Sequence, residues 1–211
     1  MTRAPSIGGV ILAAGESSRM GRDKALLPWP PFAAGQAPSS DTFLSAAIRS
    51  LLRASDFVVV VVGKNEPALA PIIYAQGASL VVNPDPARGQ FSSLQVGLRE
   101  VLNHGRDAAM VTLVDRPPVS PATIQILHRA FEQADENIWA VVPEFSGKHG
   151  HPYFIDRAMM EVFLRVPATS VAREIEHAHQ EHIKYLAVED SMVVLNINTP
   201  EEYARLAGEN C

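Results

Sequence analysis

Ile7-Gly8-Gly9-Val10-Ile11-Leu12-Ala13-Ala14-Gly15-Glu16-Ser17-Ser18-Arg19-Met20-Gly21-Arg22-Asp23-Lys24 is the stretch on which the fold turns. A short apolar run, nearly continuous rather than alternating, stops at a loop of small residues. Such a run predicts a strand buried on both faces. The polar residues from Gly15 to Arg19 cut the apolar stretch short, so it does not extend into the core of a secretory leader. In an open α/β sheet, loops at the carboxyl ends of strands gather the ligand. Small residues there let backbone N–H groups approach an anion, and Arg19, Arg22 and Lys24 supply positive charge. The spacing is not that of a Walker A loop, because Lys24 does not follow Gly21 directly, and it is not the dinucleotide fingerprint. An ordinary strand-to-helix connection with surface arginines has the same composition, and pattern alone leaves both readings open.

The first run is repeated downstream. Phe57–Val62 and residues 80–82, 108–114, 139–142 and 193–197 predict further strands, and 184–188 another. The last two lie close together and predict an antiparallel edge. Helical patterns fall between the strands. Residues 42–53 carry apolar side chains at a 3.6-residue period, with Asp41 as the expected N-cap, and 92–103 repeat the pattern. Ser120-Pro121 opens another helix, 156–164 and 170–177 follow, and Thr199-Pro200-Glu201-Glu202 starts the last. The alternation predicts a Rossmann-like α/β fold. Its mostly parallel, doubly wound sheet would carry a small antiparallel C-terminal part, all within a single domain over 1–211. The proline-rich stretch 28–40 reads as a surface loop.

Composition narrows the function. The chain has 211 residues, 47% apolar and 19% charged, as in a globular protein with a core of its own. Its 18 Lys+Arg against 23 Asp+Glu give a net charge of -5, which argues against a protein that coats nucleic acid. No run approaches the ~18 apolar residues of a membrane helix. The one cysteine, Cys211, excludes an internal disulfide framework and a cysteine-rich zinc site. A soluble, cytoplasmic protein is expected. His177, His179 and His182 do not fall on one helical face with a carboxylate and read as solvated surface rather than a zinc site.

Four more motifs follow the first loop: Asn83-Pro84-x-x-Ala87-x-Gly89-x-x-Ser92-Ser93-Leu94, Val114-Asp115-Arg116-Pro117, Gly150-His151-Pro152, and Asn196-Ile197-Asn198-Thr199-Pro200-Glu201-Glu202. Asp115 ends a buried apolar strand, so its carboxylate would emerge at the ligand edge, where it suits Mg²⁺. Capping of the Arg116-Pro117 turn is the other reading of the same position. With Leu12-Ala13-Ala14-Gly15-x-Ser17-x-Arg19-Met20-Gly21-x-x-Lys24, the five motifs in this order resemble the MobA-like nucleotidyltransferases, most nearly the molybdenum cofactor cytidylyltransferase branch.

The resemblance implies an Mg²⁺-dependent transfer of CMP from CTP to the phosphate of a pterin acceptor, with release of pyrophosphate. It implies nucleotide contacts from Leu12, Ala13, Ala14, Gly15, Lys24, Asn83, Gly89, Ser92 and Ser93. Lys24 would pair the phosphates, Arg19 would stabilise the leaving pyrophosphate, and Asp115 would hold the metal, with Asn196 beside it. His151 would face the acceptor. The product would pass to a molybdoenzyme or cofactor-handling protein in a transient contact. Two positions depart from the cytidylyl pattern. Asn196 and Asn198 stand where that branch has aspartates, a pairing more typical of guanylyltransferases, whereas the first two motifs match the cytidylyl branch. Arg116 replaces a Gln or Met, either competing for the Asp115 carboxylate or reaching an acceptor phosphate. A GTP-dependent enzyme, another phosphorylated acceptor, and a nucleotide-binding module without catalysis are the alternatives.

Overall fold

A computed structural model describes residues 5–17, 19–31 and 39–209. Ser18, the middle of the proline-rich stretch and Cys211 lie outside the described residues. Eight strands join in one sheet: β1 (Ile7–Leu12), β2 (Phe57–Val62), β3 (Ser79–Val82), β4 (Ala108–Leu113), β5 (Ala140–Phe145), β6 (Lys148–His149), β7 (Tyr153–Asp156) and β8 (Ile183–Ala187). The order is β3-β2-β1-β4-β7-β5-β6, with β8 paired to β5. β1, β2, β3 and β4 are mutually parallel, β7 runs antiparallel to both β4 and β5, and β8 is parallel to β5. The sheet is therefore mostly parallel, as its unbroken β-branched strands predict.

Alternate residues of each strand feed two cores. Ile11, Val58, Val60, Val62 and Met110 point to the face covered by α1 (Phe43–Leu51), α2 (Glu66–Ala75) and α4 (Pro121–Glu132). Val10, Leu12, Val59, Val61 and Val111 point to the face covered by α3 (Gln90–Asn103), α5 (Arg157–Arg165) and α6 (Ala172–Ala178). Gly97 lets α3 lie close on the sheet, since a β-carbon there would come within 2.5 Å of Val10 Cγ1. A third, smaller core joins Met20, Leu27 and Phe43 to Ile197 and to Tyr203 and Leu206 of α7 (Pro200–Glu209). Among the described residues no helix is long and apolar enough to cross a membrane.

Three expectations need correction. Residues 193–197 form no strand. Ser191–Val194 is a short 3-10 turn instead, because Asp190 caps it through Met192 N at 3.0 Å and anchors it to Ser120 N and Thr123 Oγ1 at 2.9 and 2.7 Å. The antiparallel part consequently comes from β6 and β7, while β8 pairs parallel to β5. The cap of α1 is Thr42, whose hydroxyl accepts from Ser45 N at 3.1 Å in a capping box. Asp41 pairs with Arg49 at 2.7 Å.

Candidate functional site

The strand order changes direction between β1 and β4, and there the carboxyl ends of two neighbouring strands diverge into separate loops. An open cleft lies at this place. Leu12, Ala14, Gly15, Ser17 and Lys24 line it from the first loop, Leu113, Val114 and Asp115 from the end of β4, and Pro86, Gly89, Gln90 and Ser93 from the start of α3. A shallower extension runs along Glu16, Asp23, Lys64 and Asn65.

The first loop is held from both sides. Asn65 donates its amide to Ala13 O at 2.8 Å and to Asp23 Oδ2 at 2.7 Å, and Ser17 Oγ accepts from Lys24 N at 3.2 Å. Met20 plugs the third core beneath the loop. Ser17 and Gly21 take positive φ, 48° and 70°, which gives the turn its tight return. Nothing lies within 4 Å of where a β-carbon on Gly15 would be, so this residue faces the open cleft.

At the floor of the cleft Lys24, Asp115 and Asn198 form one cluster. Lys24 Nζ lies 3.1 Å from Asp115 Oδ2 and donates to Asn198 Oδ1 at 2.8 Å. Arg19, on the rim, donates to the same Asn198 oxygen at 3.4 Å. Ile197 N donates to Asp115 O at 3.0 Å, which fixes the closing motif beside the end of β4. Among the described residues two oxygens of these motifs are sealed from solvent without a partner: Asp115 Oδ1, in the cluster, and Asn196 Oδ1, on the residue before Ile197. Buried acceptors cost free energy when unpaired, and a hard divalent cation satisfies such oxygens. The donor set thus fits Mg²⁺. Among the described residues no three His, Cys, Asp or Glu side chains cluster as a ready metal cage, and Mg²⁺ needs none when phosphate oxygens complete its shell.

Other expected residues lie behind the cleft wall. Asn83 is buried and its amide is fully occupied. It donates to Ser92 Oγ and Ser93 Oγ, each at 2.9 Å, and accepts from Asp85 N at 3.0 Å. Ser92 Oγ in turn donates to Gly89 O at 2.7 Å, so of the two serines only Ser93 reaches the cleft. Ala13 is turned into the core below. Arg116 makes no hydrogen bond to Asp115 among the described residues, though the two charges interact. Its Nη1 points to the carbonyls of Val193 and Leu195 at 3.4 and 3.5 Å, and burial lowers its pKa, opposed by Asp115. His151 N donates to Val193 O at 2.8 Å, and its Nδ1 is sealed without a partner. Burial first, then the Arg116 charge, push its imidazole down to about 3, so the ring is neutral near pH 7. His182 stacks on Trp139 at 3.6 Å, and the three C-terminal histidines belong to no metal cluster among the described residues.

Sequence reasoning did not pick out Pro86, Asn65 or Lys64 as part of the site. Asn65 sits in a segment with no motif or period to mark it.

The geometry has counterparts among known proteins. The MobA-like NTP transferase domain matches residues 9–183. A molybdenum cofactor guanylyltransferase of Xanthomonas euvesicatoria pv. vesicatoria is 30% identical over 209 residues, covering 96% of this chain and 95% of that protein. The molybdenum cofactor cytidylyltransferase of Escherichia coli K12 is 25% identical over 201 residues, 94% of each chain. The crystal structure of Rv0371c from Mycobacterium tuberculosis H37Rv superposes with a TM-score of 0.79 at 28% identity, covering 98% of this chain and all of that one. With most of its length matched and the cleft at the strand switch, the chain belongs to the MobA-like NTP transferase family and is a nucleotidyltransferase.

Proposed function

We propose that the chain transfers CMP from CTP to the terminal phosphate of a molybdopterin-type pterin acceptor. The observation that carries this reading is the Lys24–Asp115–Asn198 cluster under a loop of small residues, with the sealed Asp115 Oδ1 left without a partner. An acceptor phosphate oxygen attacks the α-phosphorus in line. A new P–O bond forms, the bond between the α-phosphorus and the bridging oxygen breaks, and pyrophosphate leaves with the electron pair. A phosphate monoester is already ionised near neutrality, with a second pKa of ~6, so the nucleophile needs no base. The neutral His151 agrees with that, because nothing requires it to take a proton.

Catalysis of this kind is positioning and charge neutralisation. Ala14 and Gly15 bring backbone against the nucleotide, and Gly89, at φ 101°, opens the N-terminus of α3 toward the cleft, favouring an anion there. Lys24 moves onto the phosphates and Arg19 onto the departing pyrophosphate. Asp115 and Asn196 would hold Mg²⁺, which when bound polarises the α-phosphate and offsets triphosphate charge. His151 and the Gly150–Pro152 turn border the acceptor side.

GTP is the second reading of the donor. The Asn196–Asn198 pair and the 30% identical guanylyltransferase favour it, while the first two motifs favour CTP. Incubation with Mg²⁺, molybdopterin and each triphosphate in turn decides between them by pyrophosphate release. Release with CTP above all others is expected. A preference for GTP reassigns the donor, and release with none rejects the transferase reading.

A further inference from the structure

Lys24 has two claims on its ammonium. In the structure it sits on Asp115 Oδ2 at 3.1 Å and on Asn198 Oδ1 at 2.8 Å, with its side chain only 11% exposed. In the reaction proposed above it sits on the triphosphate, and the carboxylate belongs to a divalent cation. Asn198 is neutral and Arg19 leans on the same oxygen, so Asp115 is the one formal anion in the cluster; Lys24 lies directly on it, and the neighbouring Arg116 charge acts on it as well. A bare divalent cation approaching Asp115 meets a site with no charge deficit and an ammonium on the carboxylate. Repulsion between such charges a few ångströms apart is substantial even at an effective dielectric constant of about 20. A triphosphate reverses the balance, because it brings several negative charges and is the stronger partner for the ammonium.

We propose that Lys24 gates the cation site. Until nucleotide binds, its ammonium stands in for the metal on Asp115; an incoming triphosphate draws it off, so the divalent cation enters with the nucleotide and not before it. The inference rests on the assignment of Asp115 and Asn196 to the metal. It makes Lys24 a determinant of binding order as well as a phosphate ligand. The closing motif takes part, since Asn198 sets the second anchor from which Lys24 must be released.

The test needs no turnover. The full chain is titrated with Mn²⁺ alone, and free Mn²⁺ is read by its aqueous electron paramagnetic resonance signal. Lys24→Gln removes the charge while its amide can still donate to Asp115 and Asn198, and Lys24→Met removes both charge and donor. Both should bind Mn²⁺ about tenfold more tightly than the unaltered chain, and Asp115→Asn in the Lys24→Gln background should abolish the gain. Lys24→Gln protects the test if Lys24→Met disturbs folding. Wild-type or weaker Mn²⁺ affinity in Lys24→Gln overturns the gate, even in an enzyme that releases pyrophosphate normally. An enzyme that turns over no triphosphate loses the proposed reaction, while the Mn²⁺ titration still judges the gate by itself.

Discussion

Gly150 lies against the carbonyl of Val193, closer than a β-carbon can stand, and its neighbour His151 donates to that same carbonyl at 2.8 Å. A Gly150→Ala chain must push the 191–194 turn aside, and with it the Asn196–Asn198 segment. We expect a loss of about 1–3 kcal/mol in urea unfolding and a raised KM for the triphosphate. His151 gives a pH dependence. Its folded pKa, about 3, lies below the ordinary value of 6.5, so between these limits the unfolded chain binds the extra proton. Stability from this group is full above pH ~6.5 and falls as the pH drops toward 3. The urea midpoint of the wild type should therefore decline more steeply from pH 7 to pH 4 than that of His151→Gln, and parallel curves would refute the assignment. Asp115→Ala should keep the sheet and lose most pyrophosphate release, because the residue ends β4 at a loop and its side chain faces the cleft. Near-full turnover in that variant removes Asp115 from the metal.

Elements built on strong periodicity were readable from the chain alone. β1 and β2 occupy the expected residues, and α4 begins behind Ser120 with proline at its first position. The failures have physical causes. α2 carries Pro67 and Pro71, residues that read as breakers, yet Pro67 sits in the first turn and the helix packs only Leu69 and Ile73 into the core. β7 follows directly on the Gly150-His151-Pro152 turn, so its four residues offered no period of their own. The run at 193–197 looked like a strand, but its backbone groups serve His151, Arg116 and Asp115 rather than a ladder. Within the site, Lys24, Asp115 and the small residues of the first loop were legible as chemistry. Their mutual contact was not, because it depends on a closing motif 174 residues away from Lys24. Asn83 shows how one element depends on another. It pins the start of α3 to the ends of β2 and β3, through Ser92, Ser93 and the bond from its own N–H to Val62 O at 2.8 Å. Asn83→Ala should cost about 2 kcal/mol by leaving buried hydroxyls without their donor. Nucleotide KM should rise more than kcat falls, as steady-state kinetics would show.

The whole molecule converges on its cleft from both ends of the chain. Lys24 meets Asn198, Tyr203 OH donates to Pro28 O at 2.8 Å, and Ile197 N bonds Asp115 O. A ligand gripping these segments binds only the folded chain, so triphosphate with Mg²⁺ at a hundredfold excess over Kd should add about 2.7 kcal/mol. That corresponds to roughly 5–10 °C in Tm for a chain of this size, and an unmoved Tm would mean that the cleft takes no such ligand. Net charge, -5, describes the surface at large. Arg19 and Lys24 are both drawn to the neutral Asn198 oxygen at the cleft floor.

The two tryptophans sit in separate packing environments. Trp29 packs edge-on against Phe43 at 5.0 Å, in the small core that also holds Met20 of the first loop. Trp139 directly precedes β5 and stacks on the His182 ring. The protein therefore carries its own pair of optical reporters. Read in a Trp139→Phe background, emission from Trp29 should follow movement of the first loop, and Trp139 alone, in a Trp29→Phe chain, should report on the surroundings of His182.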